Sequence, residues 1–591
     1  MLAIRSQAIG MKTLRITYAV LALTVPATGL ADASSDFQAL LDEYWEWTLA
    51  SNPIMASMLG DRRYNDQWPD GSPAGIERRH LETRAFLRRI YAIEQTALPS
   101  KDQLNYELLR RQLQDEADAH QFGGHLLPFS HSGGVQDLEN TTDHLRFAAV
   151  GDFEDWLARI GKLDEVIAQL IDVAEVGRKS NIVAPCVLMQ RISAQLELQL
   201  VEQAPDSPFY RRFAAMPESI PTQEQERLQA AARETIEKTV VPAYEKLARF
   251  FSNKYLPACR DSIGLSVLPN GDAWYEHLAR SYTTTRMTPD EIHRLGLEEV
   301  RRIRTDMQQV ITEVGFDGEF QEFLAFLRSD PQFYFDNPGD LLEAYRATSK
   351  RIDPELVKLF GRLPRMPYGV RPIPDSIAPD TTTAYYSPPA ADGTRAGTYW
   401  VNLYKPEVRP KYEIEVLSVH EAMPGHHLQI ALQQELGDIP NFRRFMGFTA
   451  FVEGWGLYSE RLGYDLGLYT DPYSRFGQLT YDMWRAVRLV VDTGMHYKGW
   501  TRQQAIDFFK DNAAKTEHDI VNEIDRYIDM PGQALAYKIG QLKILTLRER
   551  AERQLGDAFD IRAFHDQLLG GGALPLDLLE QRMDAWLFSL Q

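Results

Sequence analysis

His420, Glu421, His426 and His427 stand in the stretch S-V-H-E-A-M-P-G-H-H-L-Q-I, residues 418–430. An imidazole followed at once by a carboxylate is the front half of H-E-x-x-H. In that motif two histidines one helical turn apart hold a zinc ion, and the glutamate acts on a water beside it. Here the position four after His420 is Pro424, and the later imidazoles come at His426 and His427. On an unbroken helix His426 would sit about 9 Å from His420 along the axis and His427 about 10 Å, too far for ligands about 2.0–2.1 Å from one ion. Pro424 lacks an N–H and clashes with the carbonyl of His420, while Gly425 relaxes the backbone. A kink or bulge at Pro424-Gly425 is therefore the condition under which these side chains meet, and bulges of that kind are frequent at functional sites.

Such a site needs a third ligand. The stretch F-V-E-G-W-G-L-Y-S-E-R-L-G-Y, residues 451–464, sets Glu453 among Phe451, Val452 and Trp455. A bare carboxylate is expensive in apolar surroundings, and a cation compensates it. Glu460 lies seven residues on, on the same helical face, where it can support a ligand from behind. The Gly570 to Gly572 run reads as a turn, with no phosphate-loop context around it. There is no G-x-S-x-G and no cysteine in a catalytic context.

The elements that must carry these residues read as helices. Apolar residues recur at three- and four-residue spacing through G-I-E-R-R-H-L-E-T-R-A-F-L-R-R-I-Y-A-I-E-Q, residues 75–95, and through the segments at 224–255 and 290–315. Thr288-Pro289-Asp290-Glu291 is a helix start, with Thr as cap and Pro in the first turn. Strand signals are scarce. The best is G-T-Y-W-V-N-L-Y, residues 397–404, which follows a Pro-rich connector at 362–380. No internal repeat or long low-complexity tract appears. The expected division is an N-terminal helical part over 32–285 and a C-terminal part with the motifs over 286–591, joined without a flexible linker.

Composition narrows the function classes. The chain has 591 residues, 44% of them hydrophobic, and a net charge of −19. That acidity argues against a nucleic-acid partner and for a self-repelling, dispersed surface. Two cysteines, Cys186 and Cys259, provide no disulfide framework and no cysteine metal site, and the sequence alone does not pair them. From Met11 the chain reads M-K-T-L-R-I-T-Y-A-V-L-A-L-T-V-P-A-T-G-L-A-D-A-S-S. A basic start, a short apolar run and small residues ending near Ala31 or Ala33 have the layout of a secretory signal peptide over residues 1–31. The apolar run is shorter than the span of about 20 residues that a membrane anchor requires. No cysteine marks the cleavage point, so a lipid anchor is not expected there. The reading is a periplasmic or secreted protein with no integral membrane segment after cleavage.

Taken together, H-E-A-M-P-G-H-H, E-G-W-G-L-Y-S-E, D-T-G-M-H-Y-K-G-W-T-R-Q-Q-A-I-D-F-F, I-D-R-Y-I-D-M-P-G-Q-A-L-A-Y-K-I-G-Q-L-K-I and M-T-P-D-E-I-H-R-L-G-L-E-E-V resemble the bacterial domain-of-unknown-function 885 family over roughly residues 40 to 590. That family is placed among zincin-like peptidases, near the helical gluzincins. The resemblance implies a mainly α, large helical zincin-like fold, with a small β-sheet next to the active-site helix and a deep substrate channel. It implies one Zn2+ held by His420, by one of His426 and His427, and by Glu453, with Glu421 as general base. This motif carries two more residues between its histidines than H-E-x-x-H if His426 is the ligand. Gly425-His426 reproduces the G-H ending common in the helical type and favours His426 over His427. Helical gluzincins stabilise the oxyanion with Tyr or His, for which His496, Tyr497 and Tyr537 are the candidates. The strand at 397–404, with Tyr399 and Asn402, is expected to pair with an extended peptide. Arg485, Arg488 and Arg526 are expected anchors for a substrate carboxylate. The leading expectation is an exported zinc-dependent metallopeptidase acting on short peptides. A metal-dependent amidase or other hydrolase acting on a non-peptide or cell-wall-derived substrate and a non-catalytic periplasmic binding protein on the same scaffold are the other two classes compatible with these residues.

Overall fold

The computed structural model describes residues 27–591 apart from 144, 376–377, 381, 391–392 and 394. The expected signal peptide lies outside the described residues as far as residue 26, and its last residues open the helix Ala27–Ser51. The molecule is mainly helical, with one small three-stranded sheet among the described residues.

Two helix pairs position everything that follows. The first joins Pro289–Glu313 to the long central helix Pro472–His496. Pro289–Glu313 begins as the sequence predicts, with a reciprocal Thr288–Glu291 capping box, and buries the stripe Ile292, Gly296, Val300, Ile303, Met307 and Val310. Gly296 lets the backbones approach, since a Cβ there would lie 2.7 Å from the Leu489 Cβ. The central helix is buried on nearly every face, including charged residues that a half-exposed helix would keep in water.

The second pair crosses Thr449–Leu462 with Ala536–Leu555. Contact is made glycine to glycine. A Cβ on Gly454 would lie 2.5 Å from the Gly540 Cα, and one on Gly540 would lie 1.9 Å from the Ala450 carbonyl oxygen. This crossing fixes Glu453, next to Gly454, within electrostatic range of Tyr537, one turn before Gly540.

The sheet has strands β1 Tyr368–Pro372, β2 Ala384–Ser387 and β3 Gly397–Val401, in the order β1-β3-β2. β1 runs parallel to β3 and β2 antiparallel to it. Two expectations change here. The Pro-rich connector contains β1, with Pro372 closing an edge strand where its missing N–H costs no ladder bond. The strand expected to accept a peptide is the middle one: Tyr399 stands between Val370 and Tyr386. Both backbone edges of β3 are taken, so strand addition along it is excluded.

Buried apolar side chains from Phe37 to Leu587 form one connected core. Polar ties cross between its N- and C-terminal halves. Tyr275 donates to Asp492 Oδ1 at 2.5 Å, Arg111 Nη1 to Asp577 Oδ1 at 2.7 Å, and Arg443 Nη1 to Asn105 Oδ1 at 2.8 Å. Cys186 and Cys259 are joined in a disulfide, a bond that persists in oxidising compartments. No helix among the described residues is long and apolar enough to cross a membrane.

Gly540→Ala is expected to destabilise the fold by about 1–3 kcal/mol, because the new methyl group must push apart a backbone-to-backbone contact. Urea unfolding of the variant checks this, and an unchanged midpoint would mean that the crossing is looser than described.

Candidate metal centre

The histidine motif is two helices, not one bulged helix. The first, Ile414–Glu421, stops at Ala422, whose φ of −101° and ψ of −104° leave the helical region. A turn follows, with a cis Met423–Pro424 peptide bond, and Gly425 at φ −72° and ψ −126° starts the second helix, His426–Gln434. The turn folds back so tightly that a Cβ on Gly425 would lie 1.8 Å from the His420 carbonyl oxygen. Trp455, on the helix opposite, donates its indole N–H to the Pro424 carbonyl at 2.9 Å and pins the turn.

This break brings His420 and His426 together and points both at Glu453. Glu453 Oε2 lies 3.8 Å from His420 Nε2 and 3.5 Å from His426 Nε2. The three donor atoms all lie within 4.8 Å of one another. Ligands about 2.0–2.1 Å from a tetrahedral ion sit roughly 3.3 Å apart, so the gap is close to ion-sized. The two rings stand nearly perpendicular, at 88°. Gly456 clears the space behind them: a Cβ there would lie 3.0 Å from His420 Nε2 and 3.2 Å from His426 Cε1. His420 Nδ1 is taken by Glu460 Oε1 at 2.8 Å, which leaves Nε2 to face the gap. Arg485 Nη2 in turn holds Glu460 Oε1 at 3.2 Å. The donor set and its surroundings fit a divalent cation such as zinc.

The electrostatics agree with the geometry. Burial disfavours the imidazolium of His420, but the Glu453 and Glu460 carboxylates outweigh it and raise its pKa to about 9. Burial would raise Glu453, yet the two imidazoles beside it bring it down to about 2. Burial lowers His426 to about 4. A cation bound here takes the place of the proton on His420. Glu421 is pushed up to about 7 by burial, opposed by His420 and reinforced by Glu453.

His427 points elsewhere. Its Nδ1 pairs with the Tyr386 hydroxyl at 2.8 Å and its Nε2 with the Met366 carbonyl at 2.9 Å, so it ties the second histidine helix to β2 and to the lead-in of β1. Both nitrogens are spent, which removes it from the ligand set. His496 is likewise occupied: Leu265 N–H donates to Nδ1 at 3.2 Å, and Nε2 pairs with the Tyr527 carbonyl at 2.9 Å. Tyr497 donates to Glu276 at 3.2 Å, on the face toward the N-terminal half. Of the three oxyanion candidates only Tyr537 faces the cluster, within electrostatic range of Glu453 and partly open to solvent.

The substrate-binding candidates also divide. Tyr399 is wholly buried, edge-on to Tyr345, and cannot touch a substrate. Asn402 is a loop clasp, donating to the Ala378 carbonyl at 2.7 Å and accepting from Tyr404 N–H at 2.9 Å. Arg485 is buried behind Glu460 and braces the ligand shell. Arg526 remains partly open, bonded to Glu523 at 3.1 Å and to Gln533 at 3.0 Å. A separate surface cavity of about 480 Å³, lined by Arg286, Met287, Glu291, Arg294, Leu295 and Glu298, shares no residue with the cluster. Sequence reasoning missed Gly456 and Tyr386. For Gly456 a signal existed, because the second glycine of E-G-W-G falls one turn after Glu453 on the same helical face.

The match to the family described as "Bacterial protein of unknown function (DUF885)" runs over residues 53–583. The chain belongs to that family. Its fold is similar to that of the "putative lipoprotein from Colwellia psychrerythraea", with a TM-score of 0.88, 28% identity, and coverage of 95% of this chain and 99% of that one. It is also similar to a "putative lipoprotein of unknown function from Shewanella oneidensis", with a TM-score of 0.66, 18% identity, and coverage of 93% and 99%. The latter likeness speaks to fold alone. No curated protein sequence matches the chain.

Zinc content after purification without chelators is expected to fall to near zero in His426→Ala and Glu453→Ala and to be retained in His427→Ala. The His427 variant should instead lose about 1–3 kcal/mol of stability, from its two broken hydrogen bonds. Zinc lost only in the His427 variant would reverse the assignment.

Proposed function

We propose that this protein is an exported, zinc-dependent metallopeptidase that hydrolyses short peptides. The observation that carries the reading is the convergence of His420, His426 and Glu453 on one gap, with Glu421 directly after the first histidine. A zincin-like arrangement accounts for it: a broken histidine helix, a glutamate helix across from it, and a sheet beside the histidine helices.

A zinc ion held by the three ligands would supply the positive charge that acidifies a water and polarises a carbonyl. The remaining roles fall to this chain's own side chains. Glu421, partly exposed and with its pKa near neutrality, is suited to take a proton from the attacking water and to pass it to the leaving amine. Tyr537 offers a phenolic O–H toward the charge that develops on the carbonyl oxygen. Glu460 and Arg485 hold His420 in the tautomer that presents Nε2. Glu421, Glu453, Arg526, Gln533 and Tyr537 are each partly open. That line of open residues marks the side on which a channel would admit substrate.

Three observations support export. The leader has the layout of a signal peptide, Cys186 and Cys259 are paired, and the Colwellia structure that it resembles at 28% identity carries the description of a putative lipoprotein.

Glu421→Gln should keep its zinc and lower kcat on short peptides by roughly 100-fold or more, the loss expected for a general base. Chelation should abolish activity and added zinc restore it. Full peptide hydrolysis after confirmed metal removal would sink the metal-dependent reading, and turnover of cell-wall fragments with none of peptides would move it to an amidase.

A further inference from the structure

Beside the cluster lies a group of charges that the proposed chemistry leaves unused. Arg488, on the central helix, is buried and lies within electrostatic range of Glu453. Its Nε donates to the Tyr527 hydroxyl at 2.8 Å and its Nη2 pairs with Glu523 Oε2 at 3.2 Å. Its Nη1 is buried and makes no hydrogen bond among the described residues. Arg526 reaches the same oxygen, with Nη2 3.1 Å from Glu523 Oε2. Two guanidinium groups therefore share one carboxylate. Besides Glu453, Asp492 is also in range, and both its oxygens are already engaged by Tyr275 and by the Gly532 N–H.

An unpaired donor on a buried guanidinium is costly, and more so where the surroundings exclude water. The cost falls when a ligand brings the missing acceptor. In a chain of net charge −19, an excess of positive charge beside a carboxylate ligand is not a general property of the surface. Tyr537 connects the two regions: the Arg488 guanidinium sits 4.3 Å from the centre of its ring, and its hydroxyl side is within range of Glu453. Arg526 and Gln533, linked at 3.0 Å, form the open rim of the same wall.

We infer that Arg488 and Arg526, with Tyr537 between them and the metal ligands, form a subsite for the free C-terminal carboxylate of a peptide. This rests on the peptidase reading and narrows it to an enzyme that cuts near the carboxyl end. The carboxylate takes the place at Arg488 Nη1 and the outer face of Arg526, and Tyr537 separates the anchored end from the scissile carbonyl. Water adds its oxygen to that carbonyl carbon, the C–N bond breaks, and the departing amine leaves with the anchored C-terminal fragment, carrying the proton.

The test uses two peptides of one sequence, ending in a free carboxylate and in an amide. Turnover is measured on the zinc-loaded wild-type protein and binding on zinc-loaded Glu421→Gln. The free acid should be preferred at least 100-fold in kcat/KM and should bind at least 10-fold more tightly. Arg526→Gln should shrink both ratios toward one, and so should Arg488→Gln. The Arg526 variant, altered at a partly exposed residue, carries the test if the buried substitution does not fold. Equal turnover of acid and amide by the wild type would overturn the anchor and leave the peptidase reading standing. Turnover of neither would overturn the peptidase reading, and equal binding of the two would then overturn the anchor as well. Unequal turnover that survives both substitutions would place the anchor elsewhere and refute this one.

Discussion

Gly425 has no room for a side chain, because the chain after Pro424 doubles back onto the His420 carbonyl. The candidate centre depends on that reversal. A straight helix would spread the two imidazoles along its axis. The break instead starts a second helix at His426, whose first residue falls beside His420 and not two turns beyond it. The turn is held from across the site by the Trp455 indole, and the same helix supplies Glu453 two residues before Trp455 and the clearance at Gly456 one residue after. The pin on the turn, the third acidic residue of the cluster and the clearance are thus one piece of the sequence, and the glycine crossing of that helix with Ala536–Leu555 fixes their depth.

The central helix is the second organising element. Asp482, Arg485, Arg488 and Asp492 recur on it at three- and four-residue spacing, and all four are buried. Each reaches a different neighbour. Asp482 pairs with Lys538 at 2.6 Å and Arg302 at 3.1 Å, Arg485 with Glu460, Arg488 with Glu523 and Tyr527, and Asp492 with Tyr275 and Gly532. Apolar contacts would let these elements slide. Buried charge pairs do not, because a slipped register strands a charge in a low-dielectric interior. The arrangement therefore exchanges some net stability for placement of the ligand shell.

Much of this was legible beforehand, for physical reasons that can be named. The helical class followed from three- and four-residue periodicity, and the start at Thr288 from its capping residues, both local signals. Glu453 stood out because a carboxylate in an apolar run needs compensation, and Glu460 because it shares a helical face with Glu453. The full helix break was harder to read than a kink, since Pro424 and Gly425 specify an interruption but not its angle. β1 was hidden because a parallel partner lies far off in sequence and Pro-rich flanks read as connector. The strand at 397–401 was found, but its place in the middle of the sheet depends on those distant partners. His427, the alternative to His426, and His496 stand among the sequence candidates because a histidine that spends both nitrogens on structural bonds looks, in sequence, the same as one that binds an ion.

The N-terminal half has a share in the site that no motif in it announces. The helix Glu517–Asp529 carries Glu523, Arg526 and Tyr527, and its far end is held from that half. Ser132 donates to Asp529 Oδ2 at 2.8 Å and Ser130 binds the same oxygen. Arg191 pairs with Asp525 at 2.8 Å, and Tyr275 reaches Asp492 beside the same wall. His420, His426 and Glu453 come from the C-terminal half alone, while the wall that holds Arg526 is set by residues from both. The family match likewise spans residues 53–583 and not only the histidine motif: the cluster of His420, His426 and Glu453 is a local device, while the wall beside it is assembled from both halves of the chain.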